Sequence, residues 1–180
     1  SNFESFKNHV SVLFWSLGNE SYAGDILVEM NRYYKEKDPD RLVHYEGVAE
    51  NRPYEDLISD MESQMYAPPE KIKEYLENNP KKPFILCEYM HDMGNSLGGM
   101  ESYIRLLDQY EDYQGGFIWD YIDQALFVKD EVTGRDVLRY GGDFDDRPSD
   151  YEFSGNGILF ADRTEKPAMQ EVRHYYGLRR

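Results

Sequence analysis

The chain has 180 residues, 40% of them hydrophobic, and 35 acidic against 20 basic side chains leave a net charge of −15. That is the length of one domain, short of the roughly 250 residues of a complete (β/α)₈ barrel, and the modest apolar supply leaves room for a partner segment to help close the core. The charge opposes nucleic acid and anionic membrane surfaces, no run of about 18 apolar residues could span a bilayer, and Cys87, the single cysteine, makes neither an internal disulfide nor a CxxC metal site and fits a reducing, cytoplasmic setting.

The chain opens at Ser1-Asn2, with no initiator Met and no basic–apolar leader, which reads as an engineered boundary or an expression scar. Short apolar runs then recur: Val12–Ser16, Leu42–Tyr45, Gln64–Ala67, Phe84–Cys87 and Gly116–Trp119. Each is nearly continuous rather than alternating, which predicts strands buried on both faces, as in a parallel sheet. Helical patterns lie between them. Residues 25–37 place Leu27, Met30, Asn31 and Tyr34 on one stripe, with Pro39 as the stop. Residues 54–60 give at best a short turn, 70–78 carry Ile72, Tyr75 and Leu76, and 97–110 carry Leu97, Met100, Ile104 and Leu107. Strand–helix alternation predicts an α/β fold, either an open sheet or part of a barrel. Residues 129–180 are rich in Gly, Asp and Arg and predict loops, short hairpins and a final helical turn near 167–176, so the expected organisation is 1–128 and an extension, 129–180.

Two carboxylates stand out by position. Glu20 follows the first run closely and Glu88 directly follows "FILC". Residues just past strand C-termini line the active face of parallel α/β folds. Two such acids match the general acid and nucleophile of glycoside hydrolysis, though most acidic residues of a protein are simply solvated. Asn19 adds a donor beside Glu20. Trp15, Tyr66 and Trp119 are strand aromatics that could face a sugar or fill the core.

The blocks "SVLFWSLGNES" (11–21), "ILCEYMHDMGNSLGG" (85–99), "QGGFIWDYIDQAL" (114–126), "YGGDF" (140–144) and "FSGNGILFADRTEKPAMQE" (153–171) resemble the β-galactosidases of glycoside hydrolase family 2, in the right order and over nearly the whole chain. The resemblance implies strands 4–8 of a (β/α)₈ barrel plus a loop-rich extension, with strands 1–3 and further domains supplied elsewhere. It implies retaining hydrolysis of terminal β-D-galactosides such as lactose. Glu20 would be the acid/base and Glu88 the nucleophile, with the two carboxyls about 5–5.5 Å apart. Asn19, Tyr66, His91 and Trp119 would bind the sugar. Glu20 would also help hold Mg²⁺, and the Phe153 carbonyl and Asn156 would hold Na⁺. The parent would be a homo-oligomer, the isolated chain would be inactive, and its sheet edges at 12–16 and 116–119 would favour self-association.

Rival readings are a β-glucuronidase of the same family, a non-catalytic carbohydrate-binding module, and an α/β-hydrolase built on "GNSLG" (94–98). In the last, five residues (89–93) separate Glu88 at the strand end from Gly94, where the motif begins, whereas a nucleophile elbow would follow its strand at once. The better expectation for Ser96 is a cap on helix 97–110. "DFDDRPSDYEF" (143–153) lacks the glycine of a calcium loop, with Pro148 in its place. His44 is expected to be a strand residue satisfied by hydrogen bonds, and His9 and His174 to be exposed.

Overall fold

The computed structural model describes residues 1–177, with the backbone alone at residue 152. It is a mixed α/β chain that divides into two compact units. Unit 1 comprises Ser1–Cys87 and Leu106–Gly116, and unit 2 comprises Glu88–Arg105 and Phe117–Arg180.

Unit 1 begins with α1 (Asn2–Phe6), followed by β1 (Phe14–Ser16), α2 (Asp25–Lys37) and β2 (Leu42–His44). β1 and β2 pair in parallel with Trp15 opposite Val43, and parallel neighbours need a crossover connection, which α2 supplies. α2 has its expected bounds. Asp25 in its first turn and Lys35 and Lys37 in its last complement the helix dipole, and Asp38 leaves the helical region just ahead of Pro39. Val28 and Tyr34 are its buried residues. Tyr34 meets Trp15 and Phe3 at centroid separations of 5.4 and 5.5 Å. Trp15 is therefore core, with its indole N–H donated to Asp38 at 3.0 Å. Val43, Tyr45, Val48 and Ile58 complete this cluster.

Two short 3-10 turns, Glu46–Ala49 and Arg52–Tyr54, lead to α3 (Glu55–Ile58), β3 (Glu62–Met65), α4 (Pro69–Glu77) and β4 (Phe84–Tyr89). α5 (Met100–Gln109) and β5 (Tyr113–Ile118) follow, and the strands lie in the order β3-β4-β5. β3 starts two residues before its expected position. Its first two residues are polar yet buried, because Glu62 accepts a forked bond from Arg52 at 2.7 and 2.9 Å and Ser63 meets the His44 ring at 2.7 Å.

Unit 2 holds the hairpin β6 (Leu126–Lys129) and β7 (Asp136–Arg139), antiparallel with Val128 opposite Val137. It also holds the 3-10 turn 151–154 and α6 (Met169–Gly177). Its core joins Met100, Ile158, Leu159 and Val172. The expected helix start at Leu97 is corrected: Leu97 has φ of +71°, and α5 begins at Met100, whose N–H is donated to the Glu171 carboxylate at 2.8 Å. Ser96 does not cap the helix. Its hydroxyl donates to the backbone carbonyls of His91 and Met93 and folds the loop on itself. No helix among the described residues is long and apolar enough to cross a membrane.

Candidate functional site

In unit 1 the segment after β1 carries Asn19 and Glu20, both exposed. Glu20 has φ of +53°, a region where side-chain-bearing residues are uncommon and cost about 1–3 kcal/mol unless their surroundings hold them. Two side chains supply that hold. The Glu20 N–H is donated to Glu46 Oε1 at 2.5 Å. The Ser21 N–H is donated to the Tyr45 hydroxyl at 2.9 Å, and that hydroxyl in turn donates to the Ser21 carbonyl. Tyr45 is fully buried, where burial and the nearby Glu46 charge push its hydroxyl pKa up and keep it a donor.

Tyr66 directly follows β3 and is likewise left-handed, with φ of +53°. Glu20 and Tyr66 line one cleft of about 610 Å³ together with Glu46, Glu50, Gln64 and Lys71. The structure thus brings these two expected residues together. Sequence reasoning missed Glu46, Glu50, Gln64 and Lys71, and of these Glu46 contacts the Glu20 backbone. It is 7% exposed, and one buried acid among 35 acidic residues gives no separate signal in a sequence.

Glu88 lies within β4 rather than past its end, second from its last residue, and is half-buried. The expectation of a residue beyond the strand is corrected accordingly. In unit 2, Met90 after β4 is left-handed at φ +54° and turns the chain into His91. The His91 ring meets the Asn156 carboxamide oxygen at 2.9 Å and packs tilted against Phe153, centroids 6.1 Å apart. Asn156 is buried and donates its amide N–H to the Phe153 carbonyl. Trp119 follows β5, half-buried. Its N–H is donated to the Tyr89 carbonyl at 3.0 Å, and its carbonyl accepts the Asp92 N–H at 2.9 Å. His91, Phe153 and Asn156 are therefore one cluster.

The residues that the resemblance assigns to Na⁺ lie together: the Asn156 carboxamide meets both the Phe153 carbonyl and the His91 ring. Glu20 brings one carboxylate, and no group of three or more His, Cys, Asp or Glu among the described residues is placed to hold a metal. No step is derived through either ion.

The loop expected to be a solvated turn rather than a calcium loop is held by Asp146, whose carboxylate accepts the N–H groups of Gly142 and Phe144 at 3.0 and 3.1 Å. These backbone donors pull its pKa down. His9 and His174 are exposed, and His44 is buried between two serine hydroxyls.

An α/β chain with acids presented at or beyond the C-terminal ends of short strands has the layout of a barrel glycoside hydrolase. The family model described as "Glycosyl hydrolases family 2, TIM barrel domain" matches residues 1–179, and the chain belongs to that family. It is 74% identical over 177 residues to the beta-galactosidase large subunit of Latilactobacillus sakei and 71% identical to that of Lactobacillus helveticus. In both cases the match covers 98% of this chain and 28% of the relative. Among solved structures it is similar to an uncultured Clostridium sp. beta-glucuronidase, with TM-score 0.62, 19% identity, and 98% of this chain on 34% of the other. A GH2 beta-galacturonidase from Eisenbergiella tayi gives TM-score 0.61 at 16% identity, with 98% of this chain on 35% of the other. At such identity the likeness is one of fold. The chain spans about 28% of the length of the curated relatives it matches.

Proposed function

We propose that this chain is the acid-bearing part of a retaining β-galactosidase, corresponding to strands 4–8 of a (β/α)₈ barrel (residues 1–128) with an extension (129–180, the last three residues lying outside the described part). The observation that carries this reading is Glu20, held left-handed at an acid-lined cleft that it shares with Tyr66, in a chain 74% identical to a protein named beta-galactosidase large subunit.

Glu88, ionised, attacks the anomeric carbon while Glu20 gives its proton to the departing oxygen. Glu20 then takes a proton from the water that releases the sugar from Glu88, so the configuration is retained. Asn19 donates to the 2-hydroxyl, while Tyr66, His91 and Trp119 shape the sugar's place. Cleft acids Glu20 and Glu50 suit a neutral galactoside and repel the carboxylate of a glucuronide, which favours galactoside over the rival substrate. The reading places the activity in the cytoplasm.

The test exchanges residues 1–177 into the Latilactobacillus sakei large subunit, expressed in that organism without its own copy. The expected result is hydrolysis of p-nitrophenyl β-galactoside over the glucuronide. Glu88→Gln should lower it at least about 10³-fold, the order lost when one essential catalytic group is removed. The 180-residue chain alone should show no turnover, because a site assembled from several strand ends fails when some are absent. A silent exchange, or full activity in Glu88→Gln, overturns the reading.

A further inference from the structure

Glu46 is a buried acid that opens the 3-10 turn after β2, and its two oxygens differ in what they meet. Oε1 accepts the Glu20 main-chain N–H at 2.5 Å, whereas Oε2 is buried and has no hydrogen-bond partner among the described residues. A carboxylate buried with one oxygen unsatisfied costs stability, so its presence calls for another function. Its neighbours show which. Tyr45 grips both the N–H and the carbonyl of Ser21. Gly47 has no side chain where a Cβ would stand 2.6 Å from the Ser21 carbonyl oxygen. Asn51 donates its side-chain N–H to the Ala23 carbonyl at 2.7 Å. Residues 45–51 therefore hold four main-chain groups on residues 20, 21 and 23, and Glu46 holds the one in the left-handed region.

We propose that Glu46 is the positioning residue of the acid/base: its carboxylate fixes the Glu20 backbone, and through it the direction in which the Glu20 carboxyl projects into the cleft. This rests on the assignment of Glu20 as acid/base. Glu46 touches no substrate atom in this role. Removing the acceptor frees the Glu20 peptide to leave its left-handed state, and a misplacement of about 1 Å at a catalytic group costs on the order of 100-fold in rate.

The experiment uses the exchanged full-length protein with Glu46→Leu, which keeps volume without an acceptor, Glu46→Asp, whose carboxylate falls one methylene short, and Glu46→Gln, whose amide oxygen still accepts. A displaced acid harms only reactions that need its proton. In the Leu and Asp variants, kcat/KM for methyl β-galactoside should fall about 100-fold, while for 2,4-dinitrophenyl β-galactoside, whose leaving group departs unaided, it should fall less than about 5-fold. Azide should raise kcat with the second substrate and yield β-galactosyl azide. Glu46→Gln should stay within about 5-fold of the parent on both substrates, as expected if the acceptor matters. Should one of the acceptor-removing variants fail to fold, the other gives the same reading. Equal losses on both substrates, or no loss, overturn the proposal. Glu20→Ala is the control: if it behaves as a typical acid/base knockout while Glu46→Leu does not, the positioning role alone falls. If Glu20→Ala is fully active, the acid/base assignment falls and this proposal with it.

Discussion

Both ring nitrogens of His44 face hydroxyls, Ser16 Oγ at 3.0 Å and Ser63 Oγ at 2.7 Å, in a site where the histidine is 4% exposed. Serine hydroxyls can donate to one ring nitrogen and accept from the other, so the neutral imidazole is satisfied and an imidazolium would be buried without a counter-charge. Burial accordingly lowers its pKa to about 4. An unfolded chain titrates this group near 6.5, so the folded state binds fewer protons between the two values. Stability from this residue is complete above pH 6.5 and is lost as the pH falls toward 4. At pH 5 the loss is about 2 kcal/mol. Urea unfolding of the parent and of His44→Gln at pH 7 and pH 5 checks this, and the variant should lose correspondingly less between the two. A second residue prediction concerns Lys166, whose ammonium meets Asp123 at 2.8 Å with both side chains about 15% exposed or less. Among the described residues, Lys166→Met leaves that carboxylate with only the Gly157 N–H and should cost about 3 kcal/mol, read as a lower urea midpoint.

At the scale of elements, unit 2 is held by close backbone crossing more than by long strands. Ile122 pairs with Leu159 in a parallel bridge, and Asp120 N–H and carbonyl bond to Asn156 and Ile158 at 2.8 and 3.0 Å. The crossing depends on Gly157, where a Cβ would lie 2.2 Å from the Asp123 nitrogen and 2.4 Å from the Ile122 carbonyl carbon. Both are backbone atoms that cannot swing aside. Gly157→Ala should therefore cost about 3 kcal/mol or more and expose residues 120–125 and 156–160 to limited proteolysis. Gly98→Ala, with nothing near its Cβ, should leave the digestion pattern unchanged. The same contrast explains what the sequence made legible. α2 could be bounded from Leu27, Tyr34 and Pro39 because its signals are local. β3 could not, because Glu62 and Ser63 look solvated until Arg52 and His44 are seen to pair with them. The start of α5 depends on Glu171, 71 residues downstream. In the candidate site, Glu20 is marked by following an apolar run and Tyr66 by being an aromatic within one, whereas Glu46 gains its role from a backbone N–H that no sequence pattern displays.

For the whole molecule, charge and apolar surface act in opposite directions. Val10 and Leu13 beside β1 are 93% and 77% exposed, and Leu126 and Phe127 on the β6–β7 hairpin are 65% and 62% exposed. A two-stranded hairpin is marginal by itself, and large apolar side chains left in water favour association by roughly 25 cal/mol for each Å² they bury. The net charge of −15 opposes that contact, since like-charged chains repel over about a Debye length, some 30 Å at 0.01 M salt and 10 Å at 0.1 M. Self-association of the 180-residue chain should therefore rise with ionic strength, contrary to a complex held by ion pairs. Static light scattering at 0.01 M and 0.5 M NaCl should give a weight-average mass near 21.3 kDa in the first and at least a dimer in the second. Leu126→Lys with Phe127→Glu, which leaves the net charge unchanged while removing the apolar pair, should hold the chain nearer to monomer at high salt. A mass independent of salt, or one that falls as salt is added, would place the association in charge pairing instead.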